Sequence, residues 1–159
     1  MKLKIPRIIK NWGYAKYIIP ATEGYIENNV GYGRRFAICK NPIYREKAFK
    51  EFNLVPDLEE PMFKNFTGNH YIDGAFVHEH VDPAPKGYVH VRCNLMLKKP
   101  FSGGMPIIDG EELVVDNNDL WLCLASLERH ASTPIGGSER FIFSFGALIN
   151  VQNVEQILS

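Results

Sequence analysis

The sequence carries five histidines, and one cluster stands apart: His78-Glu79-His80-Val81-Asp82. In an extended strand, residues two apart point to the same face, so His78, His80 and Asp82 are expected to share one side. A His-x-Asp pair at a strand end offers an imidazole nitrogen and a carboxylate oxygen to adjacent corners of one octahedral face. A distant histidine completes that face and leaves three positions for substrate and oxygen. His130 is the candidate, because it follows the apolar run Leu120–Leu127 and precedes a turn. His-x-Asp alone is a weak signal, since such a pair on a strand edge is usually just solvated.

Arg140 adds a second, separate signal. It stands ten residues beyond His130 and opens the run Arg-Phe-Ile-Phe-Ser-Phe-Gly. The intervening Thr-Pro-Ile-Gly-Gly-Ser has the residues of a hairpin connection, which predicts that the strand begun by Arg140 returns beside His130. An arginine pointing into a strand bundle needs a partner, because an unpaired buried charge is costly. That partner is either an internal carboxylate or the carboxylate of a ligand held bidentately. Ser144 lies at an even offset from Arg140 and therefore shares its face.

The elements that must position these groups change character near residue 67. Before it, strand-like pieces at Tyr14–Pro20 and Phe36–Cys39 mix with one helix, opened by Asn41-Pro42 and carrying Tyr44, Ala48 and Phe52 at helical spacing. The stretch from Pro56 to Pro61 ends that helix. From Asn69 onward come short apolar runs: Tyr71–His80, Val89–Leu97, Met105–Ile108, Glu112–Val115, Leu120–Ala125 and Arg140–Ile149. Pro-Ala-Pro, Ser-Gly-Gly, Asp-Gly, Asn-Asn and Gly-Gly-Ser separate them, all turn chemistry. Many short strands at near-regular spacing predict a β-sandwich or barrel rather than βαβ units. The expected organisation is one domain over residues 1–159: an N-terminal α/β support, 1–66, and a β core, 67–150.

Composition sets outer bounds. The chain has 159 residues, 45% hydrophobic and 23% charged, the profile of one globular domain. Its 18 basic and 18 acidic residues cancel, so it has no electrostatic footprint for non-specific nucleic-acid binding. Lys2, Lys4, Arg7 and Lys10 are expected to lie on a solvated strand or arm. No secretory leader and no membrane span is predicted. Cys39, Cys93 and Cys123 are widely spaced, with no Cys-x-x-Cys pair, which reads as buried reduced thiols in a cytoplasmic protein.

Together these motifs resemble the Fe(II)/2-oxoglutarate-dependent oxygenases, whose signature is His-x-Asp, a long gap, then a histidine followed about ten residues later by Arg or Lys. More narrowly, the sequence resembles the prolyl-4-hydroxylase-like branch. Tyr71-x-x-Gly74 precedes His80-x-Asp82 at that branch's spacing. Arg92, Leu95-Met96-Leu97 and Gly103-Gly104 look like its next strand and Gly-Gly turn. His130-Ala-Ser-Thr-Pro-Ile-Gly-Gly-Ser-Glu-Arg140 is similar to its closing motif. The resemblance covers residues 69–149, about half the chain.

The resemblance implies a mainly β fold with supporting α, a double-stranded β-helix (jelly roll). It implies His80, Asp82 and His130 as ligands of Fe(II), with 2-oxoglutarate as cosubstrate, O2 as oxidant and ascorbate in support. Arg140 would bind the far carboxylate of 2-oxoglutarate, with Ser144, Asn94 and Tyr71 as further contacts. The implied activity is hydroxylation of a small-molecule or protein substrate, at an amino-acid side chain. Two departures leave the second cosubstrate contact open: a short connection after Leu97, and Ile142 where some relatives carry serine. Other readings are nucleobase oxidation, which zero net charge disfavours, and a cupin-like binding barrel. Cupins pair two histidines on one strand with a glutamate shortly after; here Asp82-Pro83-Ala84-Pro85 follows instead. His78 is left as a rim or substrate-contact residue, and His70 and His90 as ordinary strand or loop residues. Oligomeric state is not legible.

Overall fold

A computed structural model describes residues 2–19, 26–27, 31–39, 43–59 and 66–159. The predicted helix start at Asn41-Pro42 and the ends of Tyr14–Pro20 and Pro56–Pro61 lie outside the described residues. Twelve strands and two α-helices are present among them: β1 (Ile8–Ile9), β2 (Ile26–Glu27), β3 (Gly31–Cys39), α1 (Ile43–Lys50), β4 (Phe66–His80), β5 (Tyr88–Lys98), β6 (Ser102–Gly103), β7 (Pro106–Ile108), β8 (Glu111–Glu112), β9 (Leu120–Cys123), β10 (His130–Ser132), β11 (Ile135–Gly136), β12 (Arg140–Asn150) and α2 (Val151–Glu155). All pairings are antiparallel. The main sheet runs β1-β9-β5-β12-β4-β10-β7-β8, with β3 and then β2 continuing from β4, while β11 and β6 form a separate pair.

Strict alternation along the central strands decides which side chains meet. On β12, Phe143, Phe145, Ala147 and Ile149 enter one core, and Val89, Val91, Cys93 and Leu95 of β5 join them. Leu120 and Leu122 of β9 and Leu124 just beyond it enter the same core, and Ala48 and Phe49 of α1, Phe52 just beyond it, Trp12 and Val154 of α2 cover it. The intervening residues, Arg140, Ile142 and Ser144 on β12, His90, Arg92 and Asn94 on β5, and Trp121 and Cys123 on β9, line a cavity on the opposite, inner face. Period two thus sends the apolar set outward, beneath the helices and termini, and the mixed polar set inward.

The expected β core is present, with boundary shifts. β4 begins at Phe66, and the strand expected at Glu112–Val115 is the short β8, with Val115 buried after it. Tyr14–Pro20 does not form a strand. Ala15–Tyr17 is a 3₁₀ turn, with Ile18 N–H donating to the Ala15 carbonyl. Tyr14 packs its ring 5.6 Å from Trp12 and 6.2 Å from Tyr44, which favours the tight turn. Cys93 and Cys123 are free and buried, as expected. Among the described residues no helix is long and apolar enough to cross a membrane.

The connection between β10 and β12 also differs from expectation. β10 pairs with β4 and β7, and the register partner of Arg140 is Tyr71 on β4. Arg140 therefore reaches the neighbourhood of His130 through β4, not through a hairpin. The cause is β11, which is drawn onto β6 by a close backbone approach at Gly103. Gly103 has φ +64°, and a Cβ there would lie 2.0 Å from the Pro134 carbonyl oxygen. Gly103→Ala is expected to lower stability by about 2 kcal/mol or more, read from the denaturant midpoint, through left-handed backbone cost and separation of β6 from β11.

Candidate metal centre

The site begins with an irregularity in β4. His130 pairs with His80, but Ser132 pairs with Val77, so β4 spends one residue more than β10 over the same span. This bulge breaks the alternation: Val77 and His80, three apart, both line the cavity, while His78 and Glu79 are exposed. The His78 ring lies 5.9 Å from that of His80, yet His78 is exposed and lies outside the cavity lining. Its backbone still serves the site, since the His80 Nδ1–H donates to the His78 carbonyl at 2.8 Å.

His130 is fixed in the same manner, Nδ1–H donating to the Glu128 carbonyl at 2.9 Å. Glu128 is itself fully buried. Its carboxylate accepts from both terminal nitrogens of Arg7, at 3.0 and 2.6 Å, and from the Leu124 amide at 2.9 Å. The turn over 124–128 is thereby a hub: the Ala125 carbonyl accepts from the Asp82 amide at 2.8 Å, and Ser126 Oγ accepts from the His90 amide at 2.9 Å. Arg7, expected on a solvated arm, instead anchors this hub. Arg7→Ala would strand a buried carboxylate and is expected to cost about 3–5 kcal/mol by chemical denaturation.

With both Nδ1 atoms committed as donors, His80 and His130 present Nε2 lone pairs to one place. His80 Nε2 is 3.2 Å from Asp82 Oδ1 and His130 Nε2 is 3.8 Å from the same oxygen. One ligand atom from each of the three residues lies within 4.8 Å of the others. Electrostatics agree with a cation site. Burial pushes the Asp82 carboxyl up, yet the contact with His80 and the charges of His130, His90 and Arg92 hold it down at about 2. The Asp82 contact raises His80, whereas burial lowers His130. Two neutral-capable imidazoles and one ionised carboxylate make a donor set that fits a divalent transition metal.

The cavity next to these ligands has a volume of about 470 Å³. All of the sequence-predicted site residues, His80, Asp82, His130, Arg140, Ser144, Asn94 and Tyr71, line it. Arg140 is 1% exposed, and its guanidinium lies 3.8 Å over the Tyr71 ring and donates to the Gly104 carbonyl. Its Nε is buried without a hydrogen-bond partner, and among the described residues no carboxylate pairs with it. The internal salt bridge left open by the sequence is therefore not found among them. Arg34 on β3 lies in register with Tyr71, which lies in register with Arg140, so two guanidinium groups flank one phenol. Burial raises the Tyr71 phenol, but those two cations lower it on balance. Ser144 Oγ accepts from Arg92 at 2.8 Å.

Sequence reading missed Arg34 and His90 in the cavity. Arg34 lies outside the motif-bearing half of the chain. His90 did carry a signal, because His90, Arg92 and Asn94 share one strand face. His70 is structural, as expected: buried on another face, it stacks on Phe141 at 4.6 Å and contacts Glu139 at 3.0 Å.

No family model matches the sequence, and no curated protein matches it. Solved structures do. HygX from Streptomyces hygroscopicus, crystallised with nickel, 2-oxoglutarate and hygromycin B, superposes with a TM-score of 0.57 at 10% identity, covering 91% of this chain and 82% of that one. A Pseudomonas putida prolyl-4-hydroxylase gives 0.53 at 20% identity over 80% of this chain and 75% of the other. A predicted oxalate decarboxylase from Thermotoga maritima gives 0.50 at 14% identity over 86% and 96%. At such identities the likeness is one of architecture, and the curled antiparallel sheet with its lined interior is a double-stranded β-helix.

Proposed function

We propose that the protein is a non-haem Fe(II) oxygenase that couples oxidative decarboxylation of 2-oxoglutarate to hydroxylation of an organic substrate, at an amino-acid side chain that is free or within a protein. One observation carries the reading: a His-Asp-His ligand set and a buried arginine without a described carboxylate partner line the same cavity. A metal alone would not require Arg140. A dicarboxylate cosubstrate accounts for both features, and HygX holds nickel and 2-oxoglutarate together in a fold of the same kind.

His80, Asp82 and His130 would hold the metal. Fe(II), when bound, supplies the redox chemistry with O2 and the keto acid. The chain's own contributions are binding, orientation and exclusion of water. Arg140, stacked on Tyr71, is placed to receive the distal carboxylate. Trp121, Ile142 and Ile108 supply an apolar wall to the cavity beside the ligands. A cupin-like binding barrel without turnover fits the fold equally but leaves the buried guanidinium unexplained.

The test is release of labelled carbon dioxide from 1-labelled 2-oxoglutarate by purified protein with Fe(II) and ascorbate. Slow uncoupled release, with succinate formed in equal amount, is expected before any substrate is known. Protein that neither binds 2-oxoglutarate nor releases carbon dioxide would overturn the reading.

A further inference from the structure

The ligand set leaves one buried histidine of the cavity unused. His90 is 5% exposed, its Nδ1 lies 3.4 Å from Asp82 Oδ2, and its Nε2 is buried without a hydrogen-bond partner. We propose that His90 is a positioning residue that fastens the Oδ2 oxygen of Asp82, so that the carboxylate offers only Oδ1 to a metal shared with His80 and His130. This inference rests on the metal-site reading above and adds a residue to it.

The two oxygens of Asp82 are already divided. Oδ1 faces His80 Nε2 at 3.2 Å and His130 Nε2 at 3.8 Å, while Oδ2 faces His90. Rotation about the terminal torsion of an aspartate is soft, so an untethered carboxylate can turn both oxygens toward one cation. A second donor on Oδ2 removes that freedom. His90 is suited to the task because its own backbone is clasped. Its amide donates to Ser126 Oγ at 2.9 Å, and its carbonyl accepts from the Ser126 amide at 3.3 Å. The Asp82 amide is tied to the adjacent Ala125 carbonyl at 2.8 Å. Both partners therefore hang from neighbouring residues of one turn, which fixes their relative position.

A neutral His90 with its proton on Nδ1 would direct that proton at Asp82 Oδ2 and leave the lone pair on Nε2, and His90 stands outside the set of atoms that converge within 4.8 Å. It is a tether of a ligand and not a fourth ligand. Keeping Asp82 to one oxygen preserves the open positions that a cosubstrate and an oxidant both need.

Co(II) is the probe, titrated into the metal-free full chain with affinity and visible absorption recorded together. His90→Leu, which keeps bulk but has no donor, is expected to weaken Co(II) binding roughly 10- to 100-fold and to alter the absorption bands. His90→Asn, whose amide N–H falls near the position of Nδ1, is expected to restore wild-type affinity and spectrum. His90→Gln, with its donor one bond further out, is expected to behave like His90→Leu, and this pair decides the matter if the leucine variant fails to fold. Unchanged affinity and spectrum in a folded His90→Leu or His90→Gln would overturn the proposal. So would equal loss in the asparagine and glutamine variants at unchanged metal-free melting temperature, since packing alone would then explain it. Wild-type chain that fails to bind Co(II) would instead bring down the metal site itself, a result visible before any variant is compared.

Discussion

Asp82→Ala is expected to abolish carbon dioxide release from 2-oxoglutarate and to weaken Fe(II) binding roughly 100-fold or more, beyond the loss typical of an outer contact. Asp82 is the sole anionic member of the ligand set, and both histidine Nε2 atoms face its Oδ1. Without it, two imidazoles with ring centres 4.3 Å apart confront a cation with no charge to neutralise it. Asp82→Asn should fail nearly as badly, because it keeps the shape and loses the charge. Anaerobic calorimetric titration of Fe(II) is the measurement, with melting of the metal-free protein as the control for folding. An Asp82→Ala variant that retains wild-type Fe(II) affinity would move the metal away from this triad.

Arg140→Met is expected to separate the cosubstrate from the metal. Charge-assisted hydrogen bonds are worth about 1.5–3 kcal/mol each, so loss of a bidentate pair should raise the 2-oxoglutarate dissociation constant roughly 100- to 10,000-fold. Fe(II) affinity should stay near wild type, because the ligands belong to β4, its following loop and β10, while Arg140 belongs to β12. Stability carries a further signature. The guanidinium is buried against Tyr71, with the Gly104 carbonyl and the Tyr71 hydroxyl as hydrogen-bond partners and no carboxylate among the described residues. Replacing a buried cation that has no carboxylate partner among the described residues by a side chain of similar volume is expected to leave the melting temperature of the ligand-free protein unchanged or higher. The rise in melting temperature that 2-oxoglutarate causes in the wild type should disappear, since a ligand stabilises only the fold that binds it. Persistence of that rise in Arg140→Met would refute the assigned role.

The alternation of β5, β9 and β12 was legible because a half-buried strand must place successive side chains on opposite faces. Seen in that light, Arg140 and Ser144 on one face and Phe143 and Phe145 on the other follow from the sequence alone. His80 and Asp82 were legible as a pair from spacing, and His130 with Arg140 from order along the chain. That Val77 lines the cavity with His80 was not legible, because the bulge in β4 depends on β10, a partner fifty residues away. Local spacing cannot report where a strand will gain a residue relative to its neighbour.

Arg7 and His90 show the same limit from another side. Nothing adjacent to Arg7 announces Glu128, and nothing adjacent to His90 announces Asp82; each contact exists only once distant segments close on the 124–128 turn. The sequence by itself determined a β-rich core, the inward face of its strands and the types of side chain able to hold a metal and a dicarboxylate. Only the tertiary structure decided that those side chains share one cavity, which histidine of the cluster stays outside its lining, and which residues hold the ligands in place. The reason is physical: side-chain direction along a strand is a local property of the backbone, whereas convergence on one point depends on pairing register between segments remote in sequence.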